Sequence, residues 1–147
     1  MPGLIGSAER WNTPLTLALL DLDYFKRVND RHGHLAGDKV LRRIGKLFAT
    51  SLRPSDIVSR WGGEEFCIVF PETDVAGAAT ALASLAAKLR TLEVDWGQEL
   101  INGLTFSAAL AAHGPHGRTL DELVDSADRA LYAAKGAGRD RVLVAQG

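Results

Sequence analysis

Directly after Pro14 the chain runs from Leu15 to Leu22 as LTLALLDL, a nearly unbroken apolar segment that closes on Asp21-Leu22-Asp23. It is short and has no polar alternation, which predicts a strand buried on both faces. Such a strand needs helices on either side of its sheet, so the run commits the chain to a layered domain. Carboxylates at the end of a central strand are costly unless they bind something, so the same segment also marks a candidate site.

The remaining pattern fills in those layers. A short helical stretch is expected over Tyr24 to Asn29. A longer helix follows over Ala36 to Ser51, where Val40, Leu41, Ile44, Leu47 and Phe48 make one apolar stripe and Arg42, Arg43 and Lys46 lie off it. Pro54 breaks it. Ile57 to Trp61 and Glu65 to Phe70 are β-rich and flank Gly62-Gly63, which predicts a tight hairpin closed by Pro71. Asp74 to Leu92 is alanine-rich and helical, Glu93 to Asn102 reads as an irregular or hairpin connection, and Leu104 to Ala112 as a strand. Thr119-x-x-Glu122 is a capping box opening the last helix, which Gly136 and Gly138 end before a short strand over Arg141 to Ala145. No element is read before residue 14. The expected fold is α+β with a mainly antiparallel central sheet flanked by helices, as one domain over residues 1–147 with its core about 14–145.

Composition narrows the function classes. With 17 Lys+Arg against 18 Asp+Glu, a net charge of −1 and a pI near 6.4, the chain lacks the basic excess of nucleic-acid modules. A single cysteine, Cys67, excludes an intramolecular disulfide framework and fits a reducing compartment. No apolar run approaches the roughly 20 residues of a membrane span, and MPGLIGSAER lacks a signal-peptide layout. A soluble, cytoplasmic domain is expected.

Two acidic sites converge if strand 15–22 lies beside the hairpin: Asp21 at the strand end, and Glu64-Glu65 just past the glycine turn. Carboxylates on adjacent strand ends suit Mg²⁺, which takes hard oxygen ligands and leaves room for phosphate. Such an ion would neutralise a triphosphate and lower the barrier to attack at phosphorus. Taken singly, a strand-end Asp is a turn former and a hairpin Glu is a solvated surface charge. Their convergence is what favours the site.

The residues D21-L-D-Y-F-K26-R-V-N29-D30, G33-H34, G37-D38, R60-W-G62-G-E-E-F66 and A127-D-R-A-L-Y132-x-A-K135-x-x-G138-R139 stand in one order over about 14–145. This set resembles the GGDEF domain of diguanylate cyclases, here with Glu64 where the family name has Asp. The resemblance implies a fold like the palm of polymerases and nucleotidyl cyclases. It also implies an enzyme joining two GTP into cyclic di-GMP with release of two pyrophosphates, each protomer of a homodimer binding one GTP.

By that resemblance Asp21, the Leu22 carbonyl, Glu64 and Glu65 would hold Mg²⁺ or Mn²⁺, and Glu64 would assist deprotonation of the attacking hydroxyl. Tyr24, Phe25 and Lys26 would cradle phosphate with backbone N–H groups at a helix amino terminus, and Gly62 and Gly63 would form the nucleotide-facing turn. For the Tyr24 and Phe25 side chains, core packing is the plainer role. Asn29 and Asp38 would read guanine, whose N1–H and 2-amino donors adenine lacks. Asp38 is alternatively a favourable first-turn acid. Lys135 and Arg139 would reach the outer phosphates. Arg53-Pro-Ser-Asp56 stands five residues before the glycine pair, matching the family's product-inhibition site, with Lys88 or Arg90 as candidates for its additional cation. A nucleotide-binding module without turnover is the alternative function.

Two departures from the family pattern accompany these matches. Only 20 residues precede Asp21, and the family's Leu-Thr-Gly-Leu-x-Asn-Arg segment is absent, as in a fragment or a shortened natural domain. Ser107-Ala108-Ala109 stands where the family has Ser-x-Gly, which predicts crowding by one methyl near the site. His113-Gly-Pro-His116 reads as a polar loop rather than a metal site, and His32 and His34 as turn residues before the second helix.

Overall fold

The structure, a computed structural model, describes residues 2–146. Helix α1 (Pro2–Trp11) precedes β1 (Leu15–Leu22), followed by α2 (Phe25–His32), α3 (His34–Ser51), β2 (Ile57–Gly62), β3 (Glu65–Pro71) and α4 (Val75–Thr91). The chain continues through β4 (Val94–Trp96), β5 (Glu99–Ile101), β6 (Phe106–Ala112), α5 (Leu120–Gly136) and β7 (Val142–Val144). Five strands form one sheet in the order β2-β3-β1-β6-β7, and β4 and β5 form a separate hairpin. Only the β6–β7 pairing is parallel, so the sheet is mainly antiparallel as expected.

β1 is the central strand and is buried along its full length. Its even residues Ala18, Leu20 and Leu22 pack with Phe66, Ile68, Phe70 and Phe106 beneath α3 and α4. Its odd residues Leu15, Leu17 and Leu19 pack with Cys67, Val69, Ala109 and Ala111 beneath α1 and α5. Phe48 of α3 anchors the first layer, with edge-to-face contacts to Phe66 at 5.3 Å and Phe106 at 6.0 Å between centroids. Thr119 and Glu122 make the reciprocal capping box that opens α5, and Asp74 caps α4 by accepting from the Gly77 N–H.

Three expectations are corrected. An amino-terminal helix exists where none was read: Leu4, Ile5 and Ala8 lie against the α5-side layer, and that packing outweighs the poor helix propensity of Gly3 and Gly6. His32 and His34 belong to helices, ending α2 and opening α3, and only Gly33, at φ 92°, turns the chain between them. Because α3 starts at His34, Asp38 lies beyond its first turn, so the alternative role of a first-turn acid falls away. Among the described residues no helix is long and apolar enough to cross a membrane.

Candidate active site

The alternation along β1 turns Asp21 toward α5. Asp21 is paired in register with Glu65 of β3 on one side and Ser107 of β6 on the other, so the hairpin does bring the two acidic segments together. The carboxylate is buried. Lys135 Nζ, near the end of α5, donates to its Oδ2, while its Oδ1 is buried without a hydrogen-bond partner. A buried carboxylate oxygen with no donor costs free energy that a bound cation recovers. Burial and the neighbouring Asp21 charge push the Glu65 carboxyl above the usual carboxylate range, with Lys135 opposing the shift. The hard oxygen donors and the orphaned Oδ1 therefore fit a divalent ion. The ligands are not preassembled: among the described residues no three His, Cys, Asp or Glu side chains gather closely enough to hold a metal.

Asp21, Leu22 and Glu64 line a cleft of about 330 Å³ together with Tyr24, Phe25, Lys26, Lys135 and Arg139. Asp23, grouped with Asp21 at the strand end but given no individual role in the sequence, also lines the cleft. Its buried carboxylate accepts from Ser107 Oγ at 2.6 Å, Thr105 Oγ1 at 2.7 Å and the Asp140 N–H at 3.0 Å. That arrangement ties the end of β1 to β6 and to the loop after α5. Phe25 and Lys26 head α2, where helix geometry leaves their N–H groups without intrahelical acceptors. Phe25 is buried in the core as its plainer role required. The Tyr24 ring is 49% exposed, so core packing is not its role.

Asn29 of α2 and Asp38 of α3 flank the α2–α3 corner and do not line this cleft. Asn29 lies so close to α3 that a Cβ at Gly37 would sit 1.9 Å from its Oδ1. The Gly62-Gly63 turn uses left-handed backbone at both residues, φ 137° and 47°, and Arg60 Nε donates to the Gly63 carbonyl at 2.9 Å. Leu22 N–H donates to the Glu64 carbonyl, which fixes the turn against the end of β1.

The family described as "Diguanylate cyclase, GGDEF domain" matches residues 4–141. This chain belongs to the GGDEF domain family. The GGDEF domain is 43% identical over 132 residues to diguanylate cyclase DgcP of Pseudomonas aeruginosa, covering 89% of this chain and 19% of that protein. It is 37% identical to diguanylate cyclase DosC of Escherichia coli, covering 94% of this chain and 30% of that one. It thus spans less than a third of the length of these curated relatives. Among solved structures it resembles the GGDEF domain of YfiN (TpbB) from Pseudomonas aeruginosa, with TM-score 0.92, 29% identity, and 99% and 90% of the two chains covered. It also resembles the GGDEF domain of DgcB from Caulobacter crescentus in complex with c-di-GMP, with TM-score 0.88, 32% identity, and 97% and 84% covered. A third likeness is the active GGEEF domain of a diguanylate cyclase from Vibrio cholerae, with TM-score 0.83, 30% identity, and 99% and 91% covered.

In this GGDEF domain Arg53 and Asp56 lie at the other end of the sheet. Leu15 of β1 pairs with Pro71 there, while Asp21 pairs with Glu65 at the cleft, so the six intervening steps separate the two sites by about 20 Å. Arg53 donates to Asp56 Oδ1 at 3.0 Å, the Pro71 carbonyl at 3.0 Å and Thr73 Oγ1 at 2.6 Å, and the Asp56 carboxylate raises its pKa. The concavity beside them, about 480 Å³, is completed by Gly77, Thr80 and Ala81 from the start of α4. Lys88 and Arg90 sit in the last turn of that helix, and Arg90 is ion-paired with Asp140 at 2.6 Å. Neither lines the concavity, whose α4 residues come from the opposite end of that helix.

Three further readings are decided by the same geometry. Ala109 is fully buried, paired with Leu19 and Leu143, and packs in the α5-side layer, so its methyl fills core and does not line the cleft. His113 faces Glu9 of α1 at 3.2 Å, and His116 Nδ1 accepts from the Ala112 N–H at 2.7 Å, which makes this loop a structural latch. Burial pushes the Cys67 thiol up to about 12, so it stays protonated as an ordinary core residue.

Proposed function

We propose that this GGDEF domain is a diguanylate cyclase that joins two GTP molecules into cyclic di-GMP at a homodimer interface. The observation that carries the reading is the buried Asp21 with its orphaned Oδ1, at the head of a cleft that also presents Glu64, the start of α2, Lys135 and Arg139. The likeness to curated diguanylate cyclases and to an active GGEEF domain supports it, because this chain carries Gly62-Gly63-Glu64-Glu65-Phe66.

In this reading Asp21, the Leu22 carbonyl, Glu64 and Glu65 hold Mg²⁺ or Mn²⁺, which when bound offsets triphosphate charge and acidifies the attacking hydroxyl. The Tyr24–Lys26 backbone and the Lys135 and Arg139 side chains bind the phosphates, and Glu64 accepts the proton from the 3′-hydroxyl. Each 3′-oxygen forms a bond to the α-phosphorus of the opposite nucleotide. Each α–β phosphoanhydride bond breaks, two pyrophosphates leave, and two protons are released. One protomer holds one nucleotide, so two copies must face each other to bring both reacting pairs into line. Asn29 and Asp38 read guanine from the corner beside the cleft. The Arg53–Asp56 concavity takes cyclic di-GMP as inhibitor, guanidinium to the guanine O6/N7 edge and carboxylate to its N–H donors.

The Lys135–Asp21 ion pair favours a second reading, a module that binds GTP or cyclic di-GMP without turnover, since the lysine already occupies one oxygen of the metal ligand. Chromatography of a GTP and Mg²⁺ reaction at high protein concentration, with nucleotide-stripped protein, separates the two. Cyclic di-GMP formed by the wild type and not by Glu64→Gln establishes the cyclase. Tight cyclic di-GMP binding without product establishes the module, and no binding of either nucleotide defeats both.

A further inference from the structure

Among the described residues five non-glycine residues have left-handed backbone; Tyr24 and Arg139 line this one cleft, Asp140 adjoins it through its hydrogen bond to Asp23, and the other two are Asn12 and Glu72. Backbone strain of this kind persists only where the surroundings enforce it, and it collects where a side chain must be aimed. Here the enforcing contacts are explicit. Asp23 accepts from the Asp140 N–H and Arg90 pairs with the Asp140 carboxylate, which together set the turn that carries Arg139. Tyr24, at φ 56°, forms the N-cap of α2 without any side-chain capping bond, so capping does not account for its conformation.

That conformation brings the Tyr24 ring against two guanidinium groups. Arg27 Cζ lies 4.1 Å from the ring centroid and Arg139 Cζ lies 5.0 Å from it. Both distances are within the range of a cation–π contact. Among the described residues neither arginine has an ion-pair partner, whereas Asp21 is taken by Lys135 and Asp23 by its three donors. Both arginines line the cleft. A guanidinium held by its face keeps its edge N–H donors free, and that edge matches phosphate in a bidentate fork. Two fixed cations with unspent donors at the mouth of a cleft point to a polyanion, and like-charge repulsion between them is relieved only when one arrives.

We propose that Arg27 is a phosphate-binding residue of this cleft and that the Tyr24 ring is a positioning residue, a platform that holds Arg27 and Arg139 ready for the terminal phosphates of the nucleotide. The assignment rests on the cleft being the GTP site. It gives Tyr24 a role for its ring beyond any its backbone N–H has, and it draws in Arg27 from the first turn of α2.

The test compares binding of 3′-deoxy-GTP, which lacks the attacking hydroxyl and so cannot cyclise, with binding of GMP. Both are titrated into the full chain with Mg²⁺ present. Arg27→Ala is expected to weaken 3′-deoxy-GTP binding about 10-fold while GMP binding stays within about 2-fold, the loss of one charge-assisted phosphate contact. Tyr24→Leu is expected to give a loss of about 3- to 10-fold with the same selectivity, and Tyr24→Phe, which keeps the π face, to restore the wild-type ratio. Tyr24→Gly removes the ring and relieves the left-handed strain, so a lost triphosphate preference with a retained cooperative melt cannot come from misfolding. An unchanged ratio in Arg27→Ala, an equal loss for GMP, or failure of Tyr24→Phe to restore the ratio overturns the inference while leaving the GTP site standing. A wild-type protein with no preference for the triphosphate overturns the site reading and this inference together.

Discussion

Replacing Gly37 with alanine sets helix propensity against the nucleotide site. Gly37 lies inside α3, where glycine costs about 1 kcal/mol relative to alanine, so propensity alone predicts a gain of that size. The new Cβ, however, would lie 1.9 Å from Asn29 Oδ1, 3.0 Å from Asn29 Cγ and 3.1 Å from Phe25 Cζ. The Asn29 amide is the far end of a mobile side chain and can swing away, at roughly 0.5–1.5 kcal/mol for a displaced rotamer. Phe25 is packed in the core and yields less easily, and overpacking of this kind costs about 1–3 kcal/mol. The expected net change is a loss of roughly 0.5–3.5 kcal/mol, read from urea unfolding of the nucleotide-free protein. The functional effect is separate. Asn29 cannot keep the pose it has against Gly37, and under the proposed guanine-reading role the loss of one hydrogen bond to the base, about 1 kcal/mol, is expected to lower 3′-deoxy-GTP affinity about 5-fold and narrow its margin over 3′-deoxy-ATP. A protein stabilised by about 1 kcal/mol with its purine preference intact would refute the reasoning, because it would show that Gly37 neither crowds nor places Asn29.

Phe48→Ala, which empties the centre of the edge-to-face cluster, is expected to destabilise the domain by about 3–5 kcal/mol in urea unfolding, and a loss under 1 kcal/mol would mean that α3 does not depend on this ring. Arg53→Ala is expected to keep cyclic di-GMP synthesis linear to higher product concentration, and an unchanged progress curve would leave the Arg53–Asp56 concavity without its inhibitory role. Glu65 has a raised pKa, so the folded state holds its proton to higher pH than the unfolded chain does, and stability falls as pH rises through the unfolded value to the folded one. Glu65→Gln should therefore melt at a higher temperature than wild type near pH 7 in metal-free buffer and at the same temperature once pH falls below about 4. A difference that does not vary with pH would exclude charge as its cause.

The parts of the fold that the sequence disclosed are those whose signals are local. LTLALLDL reads as a fully buried strand, and Thr119-x-x-Glu122 marks the start of α5 because a capping box satisfies its own backbone donors within four residues. Helix α1 was hidden because Gly3 and Gly6 argue against it, and what holds it is contact with residues far along the chain. Along the site, Asp21 and Glu64-Glu65 were legible because a hairpin converts sequence spacing into spatial convergence. Asp23, Arg27 and Asp140 were not. Their roles follow from a buried hydrogen-bond triad, a pair of cation–π contacts and a left-handed turn, none of which leaves a periodic trace. Lys88 and Arg90 were named as candidates beside Arg53 because spacing along α4 does not say which end of that helix meets the concavity.

The parity of β1 has a consequence for how the gene can change. Residues 15, 17, 19 and 21 face α5, and residues 18, 20 and 22 face the phenylalanine layer. Loss of a single codon between Thr16 and Leu20 would exchange those faces for everything on one side of the gap, as any one-residue slip in a strand does. Such a frame-preserving deletion would send a carboxylate in among Phe66 and Phe106 or turn Leu15 and the residues beside it off their seats, whereas loss of two codons would shorten the strand and keep its sides. Length variation in this segment is therefore restricted to even steps, and the chemistry at Asp21 depends on a count as much as on the identity of the residue.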